Sequence, residues 1–248
     1  MLNKFKRKVL EIKVLLRSVP SPIITMFAVS VIMMNLLANK SISLPMNWLA
    51  LDCGIIVSWI SFLSMDIITK HFGPKAATQV SIVAVLVNLV CCGFFFLCAI
   101  IPGVWGVSFE YGVAWMINEA LDSTFMGTWY VLFGSTVAFI VSAIVNNSIN
   151  YGVGKLLRLK DDGFGAYALR TYISTAIGQF CDNLVFALIV SHFFFGWTLL
   201  QCITCSLTGM VVELILESIF SPIGFRICRK WKNEGVGKEF FELKGELK

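Results

Sequence analysis

Residues 76–101 read AATQVSIVAVLVNLVCCGFFFLCAII and contain no charged side chain. About 20 apolar residues cross a bilayer as an α-helix, whereas the strands of a membrane barrel alternate apolar and polar residues over about 10 positions. The unbroken apolar run therefore predicts a transmembrane helix. Such a helix satisfies its own backbone hydrogen bonds, as the interior of a lipid bilayer requires.

The composition of the whole chain supports this interpretation. The 248 residues are 57% hydrophobic and 14% charged, with a mean hydropathy of +0.81, whereas a soluble domain is about a quarter charged. Most of the eight cysteines lie inside apolar runs, which is not the pattern of a secreted disulfide scaffold. Both soluble classes are excluded, and the net charge of +5 does not by itself indicate a polyanion-binding surface.

Six apolar stretches approach the length of a membrane span, so the sequence predicts an all-α integral membrane protein, a bundle of six transmembrane helices. The stretches are Ile23–Ala38, Leu49–Met65, Ala76–Ile101, Thr128–Asn150, Tyr167–Phe195 and Trp197–Ser221. Between the third and fourth, the acidic and aromatic residues of 102–127 predict an interfacial or lid-like helix outside the membrane.

The distribution of basic residues predicts the orientation. With six spans, all 20 Lys and Arg except Lys40 and Arg170 fall on the side that holds both termini. Cytoplasmic loops carry such an excess, so both termini are expected in the cytoplasm, in a multi-pass protein of the plasma or inner membrane.

The predicted division is a basic amphipathic cytoplasmic segment at 1–21, a six-helix membrane domain at 22–228 and a charged cytoplasmic tail at 229–248. The first segment fits a helix on the inner leaflet and a solvated topology signal equally well.

The sequence lacks the motifs of common catalytic and cofactor chemistry. It has no Gly-rich phosphate loop, and His71 and His192 fall in predicted loops on opposite sides of the membrane. Cys202 and Cys205 form a C-x-x-C, but without a second pair this spacing favours packing over a metal or redox site. We therefore expect no enzyme activity, no metal and no cofactor.

Polar residues inside the predicted spans indicate a substrate site, because an ionisable group at mid-membrane costs ~2.5 to 3.5 kcal/mol on insertion scales. Thr175, Gln179, Asp182 and Phe186 fall on one face of the fifth span at ~100° per residue. An amide, a carboxylate and a ring on one face suit a flat, hydrogen-bonding heterocycle. Hydrogen bonding between helices is the alternative role for such residues.

Two acids in the sixth span, Glu213 and Glu217, are i,i+4 neighbours. Either could pair with Arg170 of the fifth span. This pattern favours a structural or gating ion pair, with proton coupling as the second interpretation.

Four segments of the chain resemble one transporter family. Residues 170–186, RTYISTAIGQFCDNLVF, resemble the R-x-x-x-S-T-x-x-x-Q-x-x-D-x-x-x-F signature of the vitamin uptake transporters, also known as the queuosine precursor transporters. Residues 35–40 are similar to the family's first-helix N…K element, and residues 134–146 to its fourth-helix G-S-x-x-A-F…Q/N element. Residues 66–76, DIITKHFGPKA, look like its D-x-x-T-E-x-Y-G-x-x-x-A loop. In that loop Lys70 replaces the family's acid and Phe72 its tyrosine.

The resemblance implies import of a 7-deazaguanine base, either queuine or its cyano or aminomethyl precursors, for tRNA modification. A carboxylate can accept both N–H groups of a guanine-like edge, an amide can donate to its carbonyl, and aromatic walls can stack on its faces.

The expected partners are the lipid bilayer and this small-molecule deazapurine, with no direct contact to nucleic acid and with a homo-oligomer or an ATPase module left open. The alternative function is a substrate-binding component of a vitamin or nucleobase transporter that needs a separate ATPase module. A membrane-embedded enzyme or a structural membrane protein is disfavoured.

The residues and the resemblance together predict two sets of functional side chains. The substrate-binding set is Asn35, Asp66, Asn146, Arg170, Ser174, Gln179, Asp182, Asn183 and Phe186, and the coupling or gating set is Glu213, Glu217 and Lys70.

Overall fold

The computed structural model of the chain describes residues 2–42, 44–106, 114–156 and 164–245. Helices make up most of these ranges, together with one antiparallel pair of two-residue strands. In chain order the elements are α1 (Leu2–Ser18), α2 (Ser21–Leu37), β1 (Ser41–Ile42), β2 (Leu51–Asp52), α3 (Ile55–Phe72), α4 (Pro74–Ile100), α5 (Ala114–Leu156), α6 (Phe164–Phe186), a π-helical segment (Ala187–His192), α7 (Phe193–Phe195), α8 (Leu199–Glu234) and α9 (Lys238–Lys244).

Several of these helices meet the length and hydropathy of a membrane span, which confirms the helical membrane class. Among the described residues the segments that do so are Ile55–Phe72, Pro74–Ile100, Trp115–Ser142, Thr175–Phe195 and Leu199–Phe220. A sixth span is counted only if Lys6–Ser18 and Ser21–Leu37, which are bent by 105° at their junction, form one broken span. The exact number of spans and the side of the termini stay predictions.

The second predicted span is displaced along the sequence. We expected it at Leu49–Met65, but α3 begins at Ile55 because the preceding residues are held in a hairpin. Ser41 pairs with Asp52 in the β1–β2 ladder, and the Cys53 N–H donates to the Lys40 carbonyl at 2.8 Å. At its other end α3 continues to Phe72, so the residues expected in a loop around His71 are helical, and Gly73 then turns the chain with φ of 88°.

From residue 114 onward, the segment expected as an interfacial or lid-like helix is continuous with the fourth span, and residues 107–113 lie outside the described ranges. Helix α5 starts at Ala114 and continues without a break into the apolar part of that span. Trp105 packs against the start of α5. Its backbone N–H donates to Asn118 Oδ1 and its indole N–H to Asp122 Oδ1, both at 2.8 Å.

The first of two compact units comprises the described parts of residues 1–33, 57–90 and 217–248. Its core surrounds the turn between α3 and α4. Leu15 of α1, Ile68 of α3 and Phe240 of α9 are fully buried there. Next to them the Phe72 ring stacks on Phe241 with ring centroids 5.7 Å apart. Helices α1 and α9 therefore both contribute buried side chains to the core of this unit.

The second unit comprises the described parts of residues 34–56 and 91–216. Val131 of α5 and Val190 of the π-helical segment are fully buried in one of its hydrophobic clusters. Gly134, one turn after Val131, lets the two elements approach, since a Cβ at residue 134 would overlap Val190 Cγ2. The π-helical segment itself is an unusual conformation that is found often at functional sites.

Candidate functional site

The most deeply buried acid of the described residues is Glu213 on α8. It is 6% exposed and its Oε2 accepts a hydrogen bond from Asn183 Nδ2 of α6 at 3.2 Å. Gly209, one turn before Glu213, faces the same amide, and a Cβ at this position would lie 2.7 Å from Asn183 Nδ2. The absence of a side chain at Gly209 therefore gives the amide room to reach the carboxylate.

Asp182 lies at a similar depth to Glu213. The two spans are consecutive and their near ends are Phe195 and Leu199. At ~1.5 Å per residue, Asp182 is ~20 Å from Phe195 and Glu213 is ~21 Å from Leu199. Both acids therefore lie well inside their spans, at the depth at which transporters commonly bind their substrates.

Asp182 and Glu213 form one electrostatic group. The Ser142 hydroxyl of α5 donates to the Phe139 carbonyl at 3.2 Å and interacts with the Asp182 carboxyl, which also interacts electrostatically with Glu213. Helices α5 and α6 and the part of α8 that lies in the second unit thus contribute polar groups to the same region. Two carboxylates in low dielectric repel each other unless a cation, a proton or a hydrogen-bonding ligand compensates them.

Asp52 of β2 adds a third carboxylate. Its Oδ1 accepts from the Gly54 N–H at 2.7 Å, and it interacts electrostatically with Glu213 and Cys205. Loss of water on burial raises the pKa of Asp52 to about 6, although hydrogen bonds from the backbone at Gly54 and Ile55 oppose the rise. We call Asp52, Asp182, Asn183 and Glu213 the acid–amide cluster.

The acid–amide cluster is rich in acceptors. Where side chains are described, no Lys or Arg forms an ion pair with its three carboxyl groups, and no group of three His, Cys, Asp or Glu side chains is arranged to hold a metal ion. A cluster of acceptors with one amide is suited to bind a neutral ligand that presents several N–H groups.

The pKa of Asp52 predicts a specific pH dependence of stability. The folded protein holds this proton up to about pH 6, while an unfolded aspartate loses it near pH 3.8. The folded state therefore binds more protons in this window, and stability falls as the pH rises through it. Between pH 5 and pH 7 the free energy of unfolding of the native protein should fall by about 1 kcal/mol more than that of the Asp52→Asn variant. Thermal unfolding of both proteins at the two pH values measures the difference, and parallel profiles would contradict it.

An aromatic group lies in the same unit. The Tyr130 hydroxyl donates to Asn39 Oδ1 at 3.4 Å, and its ring stacks on Phe194 with centroids 4.2 Å apart and 14° between the planes. His192 Nδ1 lies 2.6 Å from the Trp197 carbonyl oxygen, so it donates there. The ring contacts of Tyr130 with Phe194 and Phe195 join α7 to α5, and the His192 bond ties the end of the π-helical segment to residue 197.

The structure brings some of the predicted site residues together and separates others. Asp182, Asn183 and Glu213 are in the acid–amide cluster, and Gln179 is partly buried on the same helix, α6. Phe186 packs against the hydrophobic cluster of Val131 and Val190. Asn35 is 2% exposed and its Nδ2 has no hydrogen-bond partner in the described structure.

The remaining predicted residues are not in this cluster as described. Lys70 is exposed in the last turn of α3, in the first unit. The side chains of five predicted residues lie outside the description: Asp66, Asn146, Arg170, Ser174 and Glu217. The predicted pairing of Arg170 with Glu213 or Glu217 is therefore not tested, whereas the partner that the structure gives Glu213 is Asn183.

The sequence interpretation missed several parts of the cluster. Asp52 falls inside the predicted second span and was given no role, and Ser142 and Gly209 were not singled out. Gly209 and Glu213 are spaced i,i+4 on one helix face. A small residue one turn from a buried acid makes room for a partner from another helix. This spacing is therefore the sequence signal that points to Gly209.

The model of a family described as putative vitamin uptake transporter matches residues 52–227. No match was found among curated proteins or among solved structures. The matched range includes Asp52, Asp182, Asn183 and Glu213.

Proposed function

Because the chain belongs to the vitamin uptake transporter family, we propose that it imports queuosine precursors, namely queuine or related 7-deazaguanine bases, for tRNA modification. The observation that carries the proposal is the acid–amide cluster, in which Asn183 donates to a buried Glu213 beside Asp182. The resemblance of residues 170–186 to the family signature supports the same substrate.

The chemistry of a deazaguanine complements this cluster. Its guanine-like edge presents neighbouring N–H donors that one carboxylate accepts together, and its carbonyl accepts from an amide. Asp182 is the carboxylate proposed to bind this edge, with Gln179 or Asn183 as the donor. A ligand that brings donors to two interacting carboxylates also relieves their repulsion, which favours the bound state over the empty one.

Transport follows if access to the cluster alternates between the two sides of the membrane. Glu213 is the proposed coupling or gating residue, because its bond to Asn183 links α8 to the helix that carries Asp182. Lys70 and Glu217 keep a proposed gating role, and Asn35, Asp66, Asn146, Arg170, Ser174 and Phe186 a proposed substrate-binding one. The excess of basic residues near both termini supports a cytoplasmic location for them, in the plasma or inner membrane.

Uptake by the isolated chain tests the proposal. Proteoliposomes that contain only the purified protein should accumulate labelled queuine in a saturable manner, and excess unlabelled cyano- or aminomethyl-deazaguanine should compete while adenine should not, because adenine presents a different donor pattern. Accumulation should fall at least tenfold in Asp182→Asn, which keeps the size of the side chain but loses the charge.

The control is Glu119→Gln, which removes an exposed acid on α5 and should leave uptake unchanged. Uptake that requires added ATP-binding subunits would favour the substrate-binding component instead. Normal uptake by Asp182→Asn would remove Asp182 from the binding site.

A further inference from the structure

The first helix of the chain presents an exposed face that is both basic and apolar. Lys6, Arg7, Lys8, Lys13 and Arg17 of α1 are all exposed, and Glu11 is the single acid in the α1 sequence. Between these bases, Val9 and Leu10 are 49% and 47% exposed. Water does not favour such exposed aliphatic side chains, whereas the boundary between headgroups and acyl chains accommodates both kinds of group.

The packing of α1 places it at the level of a membrane surface. Helix α3 ends at Phe72 and α4 begins at Pro74, and both are candidate spans, so the turn at Gly73 lies where they leave the bilayer. Leu15 belongs to the same buried cluster as Phe72 and Ala76 on the two sides of that turn. Since Leu15 is fully buried, α1 is fixed beside the turn.

The direction of α1 is that of a helix lying along the surface. The axis of Lys6–Ser18 is bent by 105° from that of α2, so α1 is close to perpendicular to an apolar helix that follows it directly. A helix that lies flat beside a span exposes one long side to the headgroups. At ~100° per residue, Lys6, Lys13 and Arg17 fall within roughly 40° of one another on α1, and Val9 lies on the adjacent part of the exposed surface.

Helix α9 holds α1 in this position. The two helices are in contact, and Phe240 of α9 is fully buried in the cluster that contains Leu15. Gly237 has φ of 86° and lies directly against the Phe72 ring, which allows the chain to turn back onto α1. The basic face is thus part of a packed unit and not a free tail.

We propose that the exposed face of α1 is a binding surface for the headgroups of anionic phospholipids, with Lys6, Lys13 and Arg17 contacting the phosphates and Val9 and Leu10 entering the acyl boundary. Charge complementarity supports this occupant, because each Lys or Arg close to an anionic membrane surface adds to the attraction. The apolar pair supports a lipid over a soluble anion, which would have no use for Val9 and Leu10.

Binding of a fluorescent phosphatidylglycerol to the full-length protein in neutral detergent tests this surface. The native protein should bind it at least tenfold more tightly than the matching phosphatidylcholine, and the triple variant Lys6→Gln, Lys13→Gln, Arg17→Gln should lose that tenfold preference. The matched control replaces three exposed bases of α8, Arg226→Gln, Arg229→Gln and Lys232→Gln, and should keep it. Equal thermal midpoints of the three proteins in neutral detergent establish that each is folded.

Two further arms separate a lipid surface from other anion sites. Excess inorganic phosphate should not displace the lipid, and Val9→Asn with Leu10→Asn should weaken lipid binding severalfold while all five bases remain. Displacement by free phosphate would overturn the proposal in favour of a phosphate site. An equal loss of preference in the α8 control would overturn it in favour of a diffuse charge effect.

Discussion

Glu213→Gln is expected to lower the uptake of a labelled deazaguanine at least tenfold while the thermal midpoint stays unchanged or rises. The Gln side chain has nearly the same shape, and its oxygen can still accept from Asn183, which lies 3.2 Å from Glu213 Oε2 in the native protein. Removing a buried acid that has no cationic partner among the described side chains is neutral or stabilising. Loss of transport without loss of stability would therefore identify Glu213 as a functional acid. Proteoliposome uptake and thermal unfolding of the same preparation measure the two effects.

The control for this variant is Glu119→Gln, which removes the same charge from an exposed position. The Glu119→Gln variant should show the uptake and the thermal midpoint of the native protein. Suppose that Glu213→Gln transports normally and that its uptake depends on pH as in the native protein. Glu213 then serves only as a hydrogen-bond acceptor that links α8 to α6. If the variant unfolds at a much lower temperature, the charge is needed for folding and the coupling role is not supported.

Gly134→Ala is expected to destabilise the protein by about 1 to 3 kcal/mol, the usual cost of forcing an extra carbon into a packed site. The new Cβ would overlap Val190 Cγ2 of the π-helical segment, and both Val131 and Val190 are fully buried around it. Two backbones would have to separate to admit the methyl group. The thermal midpoint should fall by several degrees.

Gly93→Ala is the matched control, since the same substitution occurs in another helix. Residue 93 is inside α4, and a Cβ there would meet nothing within 4 Å. The better helix propensity of alanine should then stabilise the protein by up to about 1 kcal/mol. The two substitutions should shift the midpoint in opposite directions. An unchanged or higher midpoint for Gly134→Ala would show that α5 and the π-helical segment are not in close contact.

The helical membrane class could be predicted because lipid imposes a simple rule on sequence. A long apolar run such as residues 76–101 can satisfy its backbone in lipid as a helix, and α4 covers almost the whole run. The start of α3 could not be predicted in the same way. It depends on the pairing of Ser41 with Asp52 and on the Cys53–Lys40 hydrogen bond, whereas residues 49–54 are apolar enough to have been assigned to the span.

The candidate site was predictable only as a set of residues. Asp182 and Glu213 stand out in the sequence because an acid inside a span is costly. Their arrangement depends on how helices distant in sequence pack, and Asn183 reaches Glu213 across 30 positions of the chain. From the sequence, Asn183 was predicted to bind the substrate, and Glu213 was given Arg170 as its possible partner in an ion pair. The contact between Asn183 and Glu213 rests on the missing side chain of Gly209, a detail that no periodicity reveals.

The π-helical segment has a consequence for how this region tolerates insertions and deletions. A wider turn holds one residue more than an α-helical turn, so it offsets everything after it by about 100° around the axis. The face on which Phe194 meets Tyr130 is therefore set by the number of residues between Asp182 and Phe194, independently of their identity. Side chains in residues 187–192 can vary in size as packing allows, but losing a single residue would rotate the aromatic turn away from its partner.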